Sequence, residues 1–281
     1  MVTRDITIEG AAGPLAARLY GAAPARARFP RLHGKPGATL PQDRLLVFFH
    51  GGGFIGGDLD THDSFLRRLA ESHPGLLILA AEYTLAQVRP FPAAIDDAYA
   101  VMQWVGRHRV RIGWSGAELF VAGVEAGANL ATVASMMSRD RRGPAIAGQI
   151  LMMPMLDASL STVSMRALPA SPVQQSLAET CTSAYRGYLP NVVDRLHPYA
   201  SPLLSSRLRD LPPTLILTTE GDPLHDEAVQ FADRLAQAGI AARVAVLPPL
   251  SAPNQVTAAD GRAECAASPR ALAEISVFFE K

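Results

Sequence analysis

Three stretches of this 281-residue chain carry residue types and spacings that could do chemistry. HGGGF at 50–54 closes the apolar run RLLVFFH, and its glycines would let backbone N–H groups turn toward a ligand unobstructed, as an oxyanion hole requires. VAGVEAGANLA at 121–131 reads as strand, sharp turn and helix, with Gly123 and Gly127 flanking Glu125 where such a turn presents its side chain. The third, PTLILTTEGDPLHDE at 213–227, sets Asp222 just beyond another apolar run. Together they describe a carboxylate facing N–H donors from Gly51, Gly52 and Ala126, with a second carboxylate nearby. Each also has a plainer role. The glycines of HGGGF make a turn, Asp222 caps the helix that begins with PLHDEA, and Glu125 sits at a helix N-terminus, where a negative charge is tolerated.

The elements that must hold these groups alternate along the chain. Segments 44–50, 75–83, 118–124, 148–155, 213–220 and 242–248 are short, apolar and β-rich, as strands covered on both faces should be. Between them, 62–72, 92–108, 126–139, 223–238 and 268–280 carry helical patterning. This alternation predicts a mainly parallel sheet of about eight strands flanked by helices. DITIEG and PLAARLY, at 5–10 and 14–20, read as an edge hairpin. The Pro-, Gly- and Arg-rich stretch 25–43 reads as a loop. Residues 157–200 break the alternation and form a lid insertion in a single domain spanning 1–281.

On these motifs the chain resembles the hormone-sensitive-lipase family of α/β-hydrolases, the bacterial acetyl-esterase and carboxylesterase group. The matching stretches are HGGGFIGGDLDTHD (50–63), EYTLAQVRPFPAAIDD (82–97), VAGVEAGANLA (121–131), ILMMPMLD (150–157), YASPL (199–203) and LPPTLILTTEGDPLHDE (211–227). The resemblance implies an α/β-hydrolase fold and descent from esterases that use a Ser–His–Asp triad. It also implies that Gly51, Gly52 and the N–H of Ala126 form the oxyanion hole and that Asp222 is the acid. Two triad positions depart from the family. Glu125 stands for the nucleophilic serine, and the stretch LSAPN puts Ala252 where the histidine belongs. YTLAQV, with Gln87 and Val88, also departs from the family's Tyr-x-Leu-Ala-Pro-Glu.

Without the serine and its base, ordinary acyl-serine turnover is not expected. Three uses of Glu125 stay open: a nucleophile, a general base acting beside a carbonyl held by Gly51 and Gly52, or a resident anion that imitates the oxyanion. The expected function is a ligand-binding or catalytically repurposed pseudo-hydrolase for a small apolar or ester-like ligand. The alternative is an enzyme on a small carbonyl or ester substrate through Glu125. Phe54, Ile55 and Leu156 are the expected pocket lining, in a site more open than the family's because the chain starts almost at its first hairpin.

No other residue volunteers as the base. His62 and His73 flank a helix read as lying on the surface, His225 lies three residues from Asp222, and Ser115 sits outside any elbow pattern. Cys181 and Cys265 are too few for a disulfide framework, and Cys181 reads as packing. No spacing of His, Cys or carboxylates suggests a metal, and no cofactor is expected. With 26 basic and 26 acidic residues the formal charge is zero, which argues against nucleic-acid and membrane partners. The absence of an export signal suggests a cytoplasmic protein, and a homodimer remains open.

Overall fold

The computed structural model describes residues 2–21, 42–167, 169–249 and 258–280. Its centre is one eight-stranded sheet in the order β1-β2-β4-β3-β5-β6-β7-β8. The strands are β1 (Thr3–Glu9), β2 (Pro14–Tyr20), β3 (Gln42–Phe49), β4 (Leu76–Ala81), β5 (Trp114–Val124), β6 (Gly148–Met152), β7 (Thr214–Thr219) and β8 (Ala242–Leu247). β2 runs antiparallel to both β1 and β4, and every other pairing is parallel. The parallel sheet predicted from the alternating pattern is present, with the early hairpin at one edge.

Why the central strands read as continuous apolar runs is evident from their two faces. Leu45, Val47 and Phe49 of β3 belong to one core cluster, while Leu46 and Phe48 belong to the other. On the first face lie α2 (Ala93–Ile112), α3 (Ala126–Asp140) and α6 (His225–Gln237). On the second lie α1 (Asp63–Ser72) and α8 (Pro269–Phe279). A strand covered on both sides has no face left for polar residues.

Between β6 and β7 come α4 (Val163–Arg166), α5 (Pro172–Tyr188) and two 3-10 turns, Val192–Leu196 and Pro202–Leu204. The 17-residue α5 was not read as a helix from the sequence. Its start is nonetheless encoded locally: the Ser171 side chain accepts from Gln174 N–H, and a proline occupies the first turn. α7 (Ala258–Ala266) was also missed, and it packs against α1, α5 and β5. Most of the Pro-rich loop 25–43, and Ala252, lie outside the described residues.

Candidate functional site

The three chemical stretches meet at the carboxyl ends of the parallel strands, where open α/β sheets place their ligands. HGGGF follows β3, Glu125 follows β5, and Asp222 follows β7. The turn at 125 is an authentic elbow. Glu125 has φ 51° and ψ −112°, a strained conformation for a residue with a side chain. The flanking glycines are sterically required. A Cβ on Gly127 would stand 2.0 Å from the Phe49 carbonyl oxygen, and one on Gly123 would stand 2.2 Å from the Gly127 backbone. Glu125 N–H donates to Met152 O at 2.9 Å, and its carbonyl accepts from Ala128 and Asn129 in the first turn of α3.

The Glu125 carboxylate is engaged at both oxygens. Oε2 accepts the Gly52 N–H at 3.0 Å, so a side-chain oxygen holds a donor that the resemblance assigns to the oxyanion hole. Gly51 lies alongside; a Cβ there would come within 3.2 Å of the same oxygen. No hydrogen bond from Gly51 or Ala126 to this carboxylate occurs among the described residues. Oε1 is bound by the guanidinium of Arg262, projecting from α7.

Arg262 also takes Asp222 in a two-pronged grip. Its Nε donates to Oδ2 at 3.0 Å and its Nη2 to Oδ1 at 2.9 Å, the fork geometry that matches guanidinium to carboxylate. Asp222 Oδ1 additionally accepts Leu224 N–H at 2.8 Å, but Leu224 is the N-cap of α6 and has no side-chain cap bond, so Asp222 braces the turn before the helix and does not cap it as expected. The Asp222 and Arg262 side chains are fully buried, and the Glu125 side chain is 4% exposed. Desolvation opposes the charge on Arg262, but the fields of Asp222 and Glu125 outweigh it and hold the guanidinium well above its ordinary value. The site is thus a buried Glu–Arg–Asp ion triplet.

Sequence reasoning missed Arg262. α7 is short, rich in small residues, and carries no apolar stripe to advertise a helix. A charge argument could have found it. Two buried carboxylates without a base demand a cation, and beyond β8 the chain offers only Arg262, Arg270 and Lys281.

The lid helix closes over this centre. A Cβ on Gly53 would meet the Ala184 Cβ at 2.6 Å, and one on Gly187 would meet Ile55 Cγ2 at 2.8 Å, so α5 rests directly on the glycine loop. The Tyr188 ring stacks on Phe54 at 3.7 Å and 5°. Phe54 and Leu156 are fully buried and Ile55 partly so. The Cys181 thiol lies 3.8 Å from Arg262 Nη2; burial pushes it up to about 12 against the pull of the guanidinium, so it stays a thiol. Glu227 anchors the lid's base, its Oε2 accepting from Leu156 N–H at 2.6 Å and Asp157 N–H at 2.8 Å, with burial pushing its carboxyl upward.

The histidines weighed as a base, among the described residues, fall elsewhere. His50 stacks on Tyr83 at 4.3 Å and contacts its neighbour's carbonyl, Gly51 O, at 2.7 Å, a structural placement within the loop. His225 Nδ1 lies 3.5 Å from Thr218 Oγ1. His62, read from sequence as flanking a surface helix, is instead buried beside Phe48 and Gly51, because α1 enters pointing under the loop. Desolvation, reinforced by His50, lowers it to about 3, so it is a neutral imidazole. Ser115 is exposed at the far end of β5. Among the described residues no His, Cys, Asp or Glu group could hold a metal ion.

Residues 46–250 match the family model described as alpha/beta hydrolase fold. The chain belongs to this family. It is 33% identical over 244 residues to "Esterase LipI" of Mycobacterium tuberculosis (strain ATCC 25618 / H37Rv), covering 85% of this chain and 71% of that protein. It is 36% identical over 204 residues to "Ethyl acetate hydrolase" of Pseudomonas putida, covering 72% of this chain and 63% of that one. An esterase structure from Pyrobaculum calidifontis superposes with a TM-score of 0.82 at 32% identity, over 98% of this chain and 83% of the other. The α/β-hydrolase fold and the esterase kinship therefore stand as the resemblance implied. No helix among the described residues is long and apolar enough to cross a membrane.

Proposed function

We propose that this chain is a noncatalytic member of its esterase-like family, a pseudo-hydrolase whose reactive centre is occupied by its own side chains. The observation that carries this reading is the Glu125 carboxylate, bound at one oxygen by Gly52 N–H and at the other by Arg262. An ester carbonyl would need that N–H donor, and Glu125 holds it in the resting fold. A nucleophile or base would need a carboxylate oxygen free to reach the substrate, and neither is. The guanidinium cannot substitute for imidazole, because it does not give up a proton in the working pH range of proteins. Phe54 and Leu156, expected as pocket lining, are fully buried beneath the lid, with Tyr188 stacked on Phe54, so the fold holds them as core packing.

Hydrolysis of a panel of short-chain aryl esters tests this. The wild type is expected to show no rate above buffer, and Glu125→Gln to leave that unchanged. Glu125→Ser combined with Ala252→His is expected to stay silent while Arg262 holds Asp222, and to gain hydrolysis once Arg262→Ala is added. Turnover by the wild type that Glu125→Gln abolishes would instead establish Glu125 as the reacting group.

A further inference from the structure

The Glu125 side chain has a local role open to it and does not take it. Glu125 is the N-cap of α3, yet its side chain makes no capping bond to that helix. Its carboxylate reaches instead to two other elements: the glycine loop after β3, through Gly52 N–H at 3.0 Å, and α7, through Arg262 Nη1. These partners are 73 and 137 residues away in the chain.

The donors are arranged as an anion receptor requires. Asp222 takes the Nε and Nη2 edge of the guanidinium, which leaves Nη1 for a second carboxylate. Gly52 N–H meets that carboxylate's other oxygen. The positive end of the 15-residue α3 begins at the next residue, Ala126. Arg262 is fully buried, so its charge acts through protein and not through water. Each donor also has support that does not come from Glu125. Ile55 and Gly56 N–H both donate to Gly52 O, at 3.2 and 3.0 Å, and a Cβ on Gly52 would stand 2.3 Å from the Gly56 carbonyl oxygen. Asp222 holds Arg262 by its own bonds of 2.9 and 3.0 Å.

We propose that the buried centre is a carboxylate-binding site with the Glu125 side chain as its tethered ligand, and that a free small carboxylate takes the same donors once the tether is cut. This rests on the reading of Glu125 as a fixed anion and adds to it the class of ligand the site takes. Without that side chain the centre sets Arg262 against Asp222 alone, beside a helix N-terminus, and an incoming carboxylate restores the native charge pattern. Size is set as well. In Glu125→Gly the carbon and oxygens of formate replace Cδ, Oε1 and Oε2, and the loss of Cβ and Cγ gives them clearance. Glycine also adopts the φ of 51° without strain. A buried cavity made by deleting a side chain takes small ligands of matching character.

The test is thermal unfolding of the full chain in about 0.1 M sodium chloride or sodium formate, matched so that screening is equal. Glu125→Gly is expected to unfold about 5 °C higher in formate, with a gain that saturates. The wild type, whose own carboxylate fills the place, should differ between the salts by about 1 °C at most, and so should Glu125→Gly/Arg262→Met. Formamide, the uncharged isostere, should give Glu125→Gly no such gain. No gain from formate would overturn the proposal, as would an equal gain from formamide or an equal formate gain in the wild type, which marks a general salt effect. If Glu125→Gly folds only in formate, the proposal stands; if it and Glu125→Ala fail to fold in either salt, the proposal falls. Ester turnover by the wild type would sink the noncatalytic reading instead, and formate binding would still be decided by the melts.

Discussion

The elbow after β5 and the acid site after β7 have fared differently from the side of the centre that supplies the third group. At the elbow the backbone is held by hard sterics: Gly123 and Gly127 pass within contact distance of neighbouring main chain, and Glu125 keeps a positive φ. At the acid, Asp222 keeps its hydrogen bond to Leu224 N–H and its buried orientation. The third group is not an imidazole. It is Arg262, from a helix ten positions beyond Ala252 in sequence. Backbone packing fixes the elbow whatever side chain it carries, and here that side chain is a carboxylate paired with a buried cation. A serine needs a base, whereas a glutamate in the same strained turn needs a cation.

Substitutions at the elbow and at the triplet have different expected costs. Gly127→Ala pushes a methyl into the Phe49 carbonyl with only backbone to give way, so a loss of about 4 kcal/mol or more is expected in urea unfolding. Arg262→Ala should follow at about 3–5 kcal/mol, since it leaves two buried carboxylates without their cation. If Arg262→Ala proved nearly neutral while Gly127→Ala unfolded the chain, the triplet would be incidental to the scaffold.

A smaller effect separates the loop's underside from the triplet. His62 is neutral in the fold and is lowered to about 3, whereas the unfolded chain protonates it near 6.5. Between those values the unfolded state binds more protons, so stability should be full above about pH 6.5 and fall as pH drops toward 3. The contribution approaches about 1.4 kcal/mol per pH unit. His62→Phe, which keeps a ring against Phe48, should flatten that acid limb. An unchanged slope would mean that His62 finds a partner or solvent in the fold.

Much of the frame was readable from residues alone. The apolar runs RLLVFFH and PTLILTTE became β3 and β7 because both faces of each are covered, and Gly123 and Gly127 marked the elbow because no other residue fits there. α7 offers no apolar face to announce it. α5 does carry local signals, Ser171 and Pro172 at its start and buried Leu177, Cys181, Ala184, Tyr185 and Tyr188 at helical spacing, but they sit in a segment whose break in the strand–helix alternation masks them. The burial of His62 depends on how α1 enters beneath HGGGF, which only the assembled sheet decides. Arg262 was hidden for a related reason: its partners are 40 and 137 residues away, and no local pattern connects them.

In the proposed function Glu125 is a fixed anion locked by Arg262. A double-mutant cycle of Glu125→Gln, Arg262→Met and the pair, read as unfolding free energies, measures that lock. A coupling of about 2 kcal/mol or more is expected, with the double variant more stable than the sum of the single losses implies. Single effects that add to within about 0.5 kcal/mol would contradict it, because groups that do not interact leave no coupling to measure.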